Sequence, residues 1–135
     1  MVFIHRQFEN TACESHSLTM TYDGLYSVGQ ETELGRNLDL KPASMKITPH
    51  LQVVVDQYNR PTSPDGCGYK DWVVNMPKEI SGRYCRPFQI PKVGSEILEI
   101  ISIEKDELRF GRNPPLVGRP ERPSSLSEVT YKKVH

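Results

Sequence analysis

The stretch MKITPHLQVVVDQY, residues 45–58, decides how the chain is read. Met45, Ile47, Leu51, Val53 and Val55 fall on one parity; Ser44 just before the stretch, Lys46, Thr48, His50, Gln52 and Asp56 fall on the other. Side chains of a strand point to opposite faces at period two, so the pattern predicts one long strand with an apolar face and a wet face. A strand of that length, curving round a core, is the natural spine of a small antiparallel sheet or barrel. Pro49 interrupts it and cannot donate to a ladder, which puts that position at an edge, a bulge or a bend.

Working outward, residues 2–8 mix β-formers with polar residues and are read as a first strand. Residues 17–28 are rich in Thr, Tyr and Val, with Leu18, Met20 and Tyr22 on one face. Asp23-Gly24 sits inside that run, and because Leu25, Tyr26 and Val28 continue with shifted parity it is read as a bulge rather than a hairpin turn. Residues 29–35 are turn-like, and 37–40 restart the alternation until Lys41-Pro42 ends it. After the spine, residues 59–66 hold two prolines and a glycine and make a loop or rim. A short strand over 69–75 carries Trp72, and residues 78–84 lead into 88–90. Residues 97–103 and 107–110 form a hairpin turning at Glu104-Lys105-Asp106. Residues 112–127 form a proline-rich crossing segment, closed by a last strand over 129–134. No apolar spacing at period 3.6 persists for two turns, so no substantial helix is predicted. About eight strands with regular turn signals describe an all-β sandwich or barrel, in one domain covering residues 1–135.

The 135 residues suffice to bury a core without a metal or a dense disulfide framework. Seventeen basic and seventeen acidic residues cancel, so no global field draws the chain to nucleic acid. No apolar run approaches the ~18 residues of a membrane span, and the opening MVFIHR lacks a secretory apolar core. The default expectation is therefore a cytoplasmic protein. Three cysteines leave two readings open: all are reduced, or Cys67 and Cys85 pair and Cys13 is left over.

No histidine lies at ligand spacing near a cysteine, and His5, His16, His50 and His135 are scattered, so neither a metal nor a cofactor is expected. His50 reads as a surface residue on the polar parity of the spine. Phosphate-cradling glycine loops, nucleophile elbows and His-Glu-x-x-His are absent, which weakens an enzymatic reading, and no catalytic residue is assigned. Asp71 beside Trp72, and Glu99 among isoleucines, are the carboxylates that a lumen would perturb. The simpler reading puts Glu99 on an outer face, opposite a lysine across the hairpin.

An ordered set of fragments runs through residues 8–133: Phe8 to Cys13 leading into Gly24-Leu25-Tyr26; Cys67-Gly68 followed by Asp71-Trp72; Ile80-Ser81-Gly82 ahead of Cys85; Leu108-Arg109-Phe110-Gly111; and Arg122-Pro123-Ser124-Ser125-Leu126 closing on Tyr131-Lys132-Lys133. In that order they resemble a group of small bacterial lipocalin-like (calycin-type) domains and, more distantly, the lipocalin-like repeat of a vertebrate Wnt-inhibitor ectodomain. The resemblance implies an up-and-down antiparallel barrel of about eight strands with a cavity for one small ligand. It also implies that Cys67 and Cys85 lie close enough to bridge, and that Cys13 sits near the start of the second strand. Many members of the group are exported. The chain lacks the opening Gly-x-Trp strand that typically closes such a barrel, so an open edge is expected, and open edges invite pairing with a second chain.

The first functional expectation is a binding protein for a small hydrophobic ligand, its lumen lined by Leu51, Val53, Val55, Trp72, Leu98, Ile100 and Phe110, with Tyr26 and Trp72 as the aromatic wall. These positions follow from parity, and a shift of one residue would exchange the faces. The second is an interaction module, a homodimer through the open edge or a partner docked on the proline-rich segment. The third is a small lyase or isomerase at a barrel mouth.

Overall fold

Three long strands build the N-terminal half: β1 (Val2–Phe8), β2 (His16–Thr32) and β3 (Gly35–Pro49). They belong to a computed structural model that describes residues 1–112 and 121–132. A helix, α1 (Gln52–Asn59), follows, then three two-residue strands, β4 (Lys78–Glu79), β5 (Tyr84–Cys85) and β6 (Phe88–Gln89). The hairpin β7 (Ile97–Glu104) and β8 (Glu107–Phe110) and a short β9 (Tyr131–Lys132) complete the order.

The main sheet runs β1-β2-β3-β7-β8-β9, antiparallel throughout, with β4 added to the end of β3 and β5 paired to β6 apart from it. It curls strongly into a half-barrel, open between the edge strands β1 and β9. The expected all-β open barrel is what the chain forms.

The bulge read at Asp23-Gly24 is present: the β2–β3 register shifts there, and Gly24 stands opposite Pro42. A side chain on Gly24 would run into the Lys41 carbonyl, so only glycine lets the two strands approach. Pro42, expected to end a strand, instead lies inside β3, because at a bulge a missing N–H costs the ladder little. The predicted hairpin turn also holds, with Glu104 paired to Glu107. The curl brings the rim side chains together: Phe3 packs edge-on against Phe110 at 5.4 Å and Tyr131 at 5.6 Å between ring centroids.

The spine strand is corrected. It stops at Pro49; Leu51 is still extended and caps α1, which takes up Val53, Val54 and Val55. Val53 is 60% exposed and Val55 only 4%, although both were expected on the apolar face. At ~100° per residue, positions two apart on a helix point nearly opposite ways. The helical stripe is Leu51, Val54, Val55 and Tyr58, spacing i, i+3, i+4, i+7; it spans two turns, so the expectation that no such spacing persists and no helix forms is corrected with the strand. Three consecutive β-branched residues disfavour a helix locally, so packing against the sheet decides the outcome.

The strand expected over 69–75 is also absent. Its backbone is held by a side chain instead: the Asn59 amide donates to the Trp72 carbonyl at 2.9 Å and accepts from the Trp72 N–H at 2.8 Å. The Trp72 indole N–H donates to the Gly66 carbonyl at 3.0 Å. The core is continuous across these parts, joining Tyr22, Leu38, Leu40, Met45, Ile47, Val55, Trp72, Ile80, Ile90, Ile97 and Phe110. Of the proline-rich segment, residues 113–120 lie outside the described residues, as do residues 133 and 134 of the expected last strand.

Candidate functional site

A hollow of about 570 Å³ opens on the concave side of the half-barrel. Alternate residues Phe3, His5 and Gln7 of β1 form one wall, with Leu18 and Met20 of β2 and Ile47 of β3 beside them. Val54, Gln57 and Tyr58 of α1 face them, and Phe88 of β6, Ile90 just after it and Tyr131 of β9 contribute from later in the chain. The helix that replaces the end of the spine thus supplies the side of the hollow that the sheet leaves open.

Its remaining wall is the bridge between Cys67 and Cys85, whose Cα atoms lie 4.2 Å apart, flanked by Asp65 and Arg86. Cys13 is the exposed free thiol. The Asp65 carboxylate accepts from the Gln57 amide at 2.8 Å on one oxygen and meets Arg86 at 3.4 Å on the other. It therefore ties α1, the loop after it and the β5–β6 turn together at the rim. Burial, then the nearby Asp65 charge, pushes the Tyr58 phenol above its ordinary range, and burial alone raises Tyr131, so both hydroxyls stay neutral.

None of the eight residues expected to line a lumen lines this hollow. Val55, Trp72 and Phe110 belong to the filled core. Ile100 is buried, whereas Leu98 and Leu51 are half-buried and Val53 and Tyr26 are exposed. Tyr26 borders a shallower depression of about 230 Å³ with Leu25, Lys41 and Glu96. The walls from β1 were missed because only Phe3 of the inward set Phe3, His5 and Gln7 is apolar, while the alternating Val2 and Ile4 are apolar and exposed. The parity of Leu18, Met20 and Tyr22 was the signal that pointed inward.

Glu99 corrects another expectation. It is 2% exposed and stands opposite Leu38 of β3, where its Oε1 accepts the N–H groups of Ile100 at 2.9 Å and Gly111 at 2.8 Å. The carboxylate fastens the end of β8 to β7 inside the sheet rather than facing solvent. Arg122 reinforces the same corner, donating to the Glu99 carbonyl at 2.6 Å and to the Asp39 carboxylate at 2.6 Å. Asp71 is exposed, and its hydrogen bond to Lys78 at 2.8 Å holds its carboxyl below the ordinary range. Tyr22 is buried, and burial together with the adjacent Asp23 charge pushes its phenol up to about 12.

Among the described residues no group of three or more His, Cys, Asp or Glu side chains converges, and no helix is long and apolar enough to cross a membrane. Fold and hollow together define the class: an antiparallel, all-β open half-barrel with a side pocket roofed by one short helix and a disulfide-tied loop. No protein-family model matches the chain, and no curated protein matches it.

Proposed function

We propose that this is a non-enzymatic, lipocalin-like binding protein whose hollow takes one small hydrophobic ligand. The observation that carries the reading is the hollow itself: its 570 Å³ falls within the ~300–1,000 Å³ of small-molecule sites. Phe3, Leu18, Met20, Ile47 and Ile90 give it apolar lining, with polar groups at the Asp65–Arg86 rim and at His5, Gln7 and Ser17 on the strands. A preformed apolar concavity with few polar groups is what such binding requires, because the ligand gains by leaving water and the site does not reorganise.

The test is native mass spectrometry of detergent-free protein, beside the Met20→Trp variant, in which an indole fills the hollow. A reproducible small-molecule mass on the wild type, absent from the variant, is the expected result. Bare wild-type protein that also fails to enhance the fluorescence of an apolar dye would overturn the reading.

A second reading rests on β1. It is an edge strand whose outward residues Val2, Ile4 and Phe8 are exposed, and its outer backbone edge is a template for another strand. Self-association through that edge predicts a concentration-dependent dimer in sedimentation, abolished by Ile4→Pro. A monomer at all concentrations would exclude it.

A further inference from the structure

Four polar side chains that do not line the hollow meet on the flank of the sheet. His16 opens β2, Thr19 lies three residues further along it past a register shift, His50 follows directly after β3, and Asn75 sits in the loop before β4. Both imidazoles aim their Nε2 at one atom: the Thr19 hydroxyl is 3.0 Å from His16 Nε2 and 2.8 Å from His50 Nε2. The two ring centroids lie 4.2 Å apart, with the planes tilted by 34°.

A second observation orients one of them. His50 Nδ1 is 2.8 Å from the Asn75 side-chain oxygen, and an oxygen acceptor there requires Nδ1 to carry the hydrogen. In the neutral ring the lone pair of His50 is then on Nε2, pointing into the cluster. Metal-binding histidines are commonly set this way, one ring nitrogen donating to an oxygen while the other faces the ion. Main-chain bonds hold both partners in place: His50 N–H donates to the Ser17 carbonyl at 2.8 Å and Asn75 N–H to the Pro49 carbonyl at 2.7 Å. Asn75 has φ +60°, a left-handed conformation that asparagine tolerates better than most residues. His16 is steadied from outside by Phe8, stacked at 5.1 Å.

We infer that His16, His50 and the Thr19 hydroxyl form a site for one imidazole-preferring divalent transition metal. Two Nε2 atoms bound to a common ion at ~2.0–2.1 Å stand no more than about 4.2 Å apart. Rings with centroids 4.2 Å apart, whose Nε2 atoms both lie within 3.0 Å of one oxygen, are placed to approach that geometry. In the tautomer with its hydrogen on Nδ1, His16 likewise presents an Nε2 lone pair, and the Thr19 hydroxyl oxygen has a lone pair for the ion. With two imidazoles, one hydroxyl and water in the remaining positions, the site favours Cu²⁺ over Zn²⁺ and Ni²⁺, following the general order of affinities.

The test is electron paramagnetic resonance of full-length protein loaded with one equivalent of Cu²⁺, in a Cys13→Ser background that removes the exposed thiol. The expected spectrum shows hyperfine coupling to two imidazole nitrogens. His16→Gln and His50→Gln each lose that pattern and weaken Cu²⁺ binding by tenfold or more, while His5→Gln leaves both unchanged. Asn75→Gly keeps the loop conformation but frees the His50 ring, and weakens binding by about tenfold. Zn²⁺ raises the melting temperature of the parent and not of either histidine variant. A parent spectrum with fewer than two imidazole nitrogens, or loading that follows His5, overturns the assignment without depending on the fold of any variant.

Discussion

Phe3 and Tyr131, on the first and last strands of the sheet, meet edge to face with ring centroids 5.6 Å apart. Both also contact Phe110, so three rings join the rims of a sheet whose edge strands share no ladder among the described residues. Edge-to-face pairs contribute ~0.5–1.5 kcal/mol each beyond the area they bury. This is how an open half-barrel keeps its curl.

Phe3→Ala removes two of the three ring contacts. Because Phe3 is half-buried, the expected loss is about 2–3 kcal/mol, below the ~3–5 kcal/mol of a fully buried phenylalanine. Tyr131→Phe keeps the ring and changes stability little. Urea denaturation of the two variants decides, and equal stabilities would show that the rings do not pin the curl.

Val53 and Val55 distinguish helix from strand in solution. Val55→Ala is expected to cost about 2 kcal/mol, because its side chain is buried in the core. Val53→Ala changes stability by less than about 0.5 kcal/mol, as exposed substitutions do. Equal losses at the two positions would restore the strand.

Asn59 replaces a strand partner for Trp72. Asn59→Ala leaves the Trp72 N–H and carbonyl without their side-chain partner, and a loss of about 1–3 kcal/mol is expected. The tryptophan emission of the folded variant shifts to the red if water reaches the indole. An unchanged spectrum and midpoint would mean that the core alone holds Trp72.

Glu79 sets part of the acid sensitivity. Burial raises its pKa, but hydrogen bonds from Met45 N–H, Ser81 and Ser44 outweigh burial and hold the carboxyl below the ordinary range. A depressed folded pKa stabilises above the unfolded value of about 4.3, and that stability is lost as pH falls through the folded value. Glu79→Gln should therefore cost most near neutrality, with the gap to wild type closing in strong acid. A gap that stays constant with pH would separate the effect from ionisation.

Reduction of Cys67–Cys85 should cost about 3 kcal/mol for a loop of this size. Before reduction, a thiol reagent should modify Cys13 alone, and afterwards all three cysteines. Three reactive thiols in the untreated, folded protein would refute the bridge.

Local chemistry written in the sequence determined the β class, the bulge at Asp23-Gly24 and the Glu104–Glu107 hairpin, because alternation, glycine and turn residues act over a few positions. It did not determine the fate of Val53, Val54 and Val55, whose spacing fits both a strand and the stripe Leu51, Val54, Val55, Tyr58. Only packing on the curled sheet, where that stripe finds its partners, selected the helix. The hollow was equally hidden. Its walls come from β1, β2, α1 and the disulfide-tied loop, far apart in the chain, and long-range closure chose which face of each turned inward. Glu99 shows the same limit: one residue among isoleucines, it was sent inside by N–H groups on β7 and at the end of β8 that only the tertiary structure brings to it.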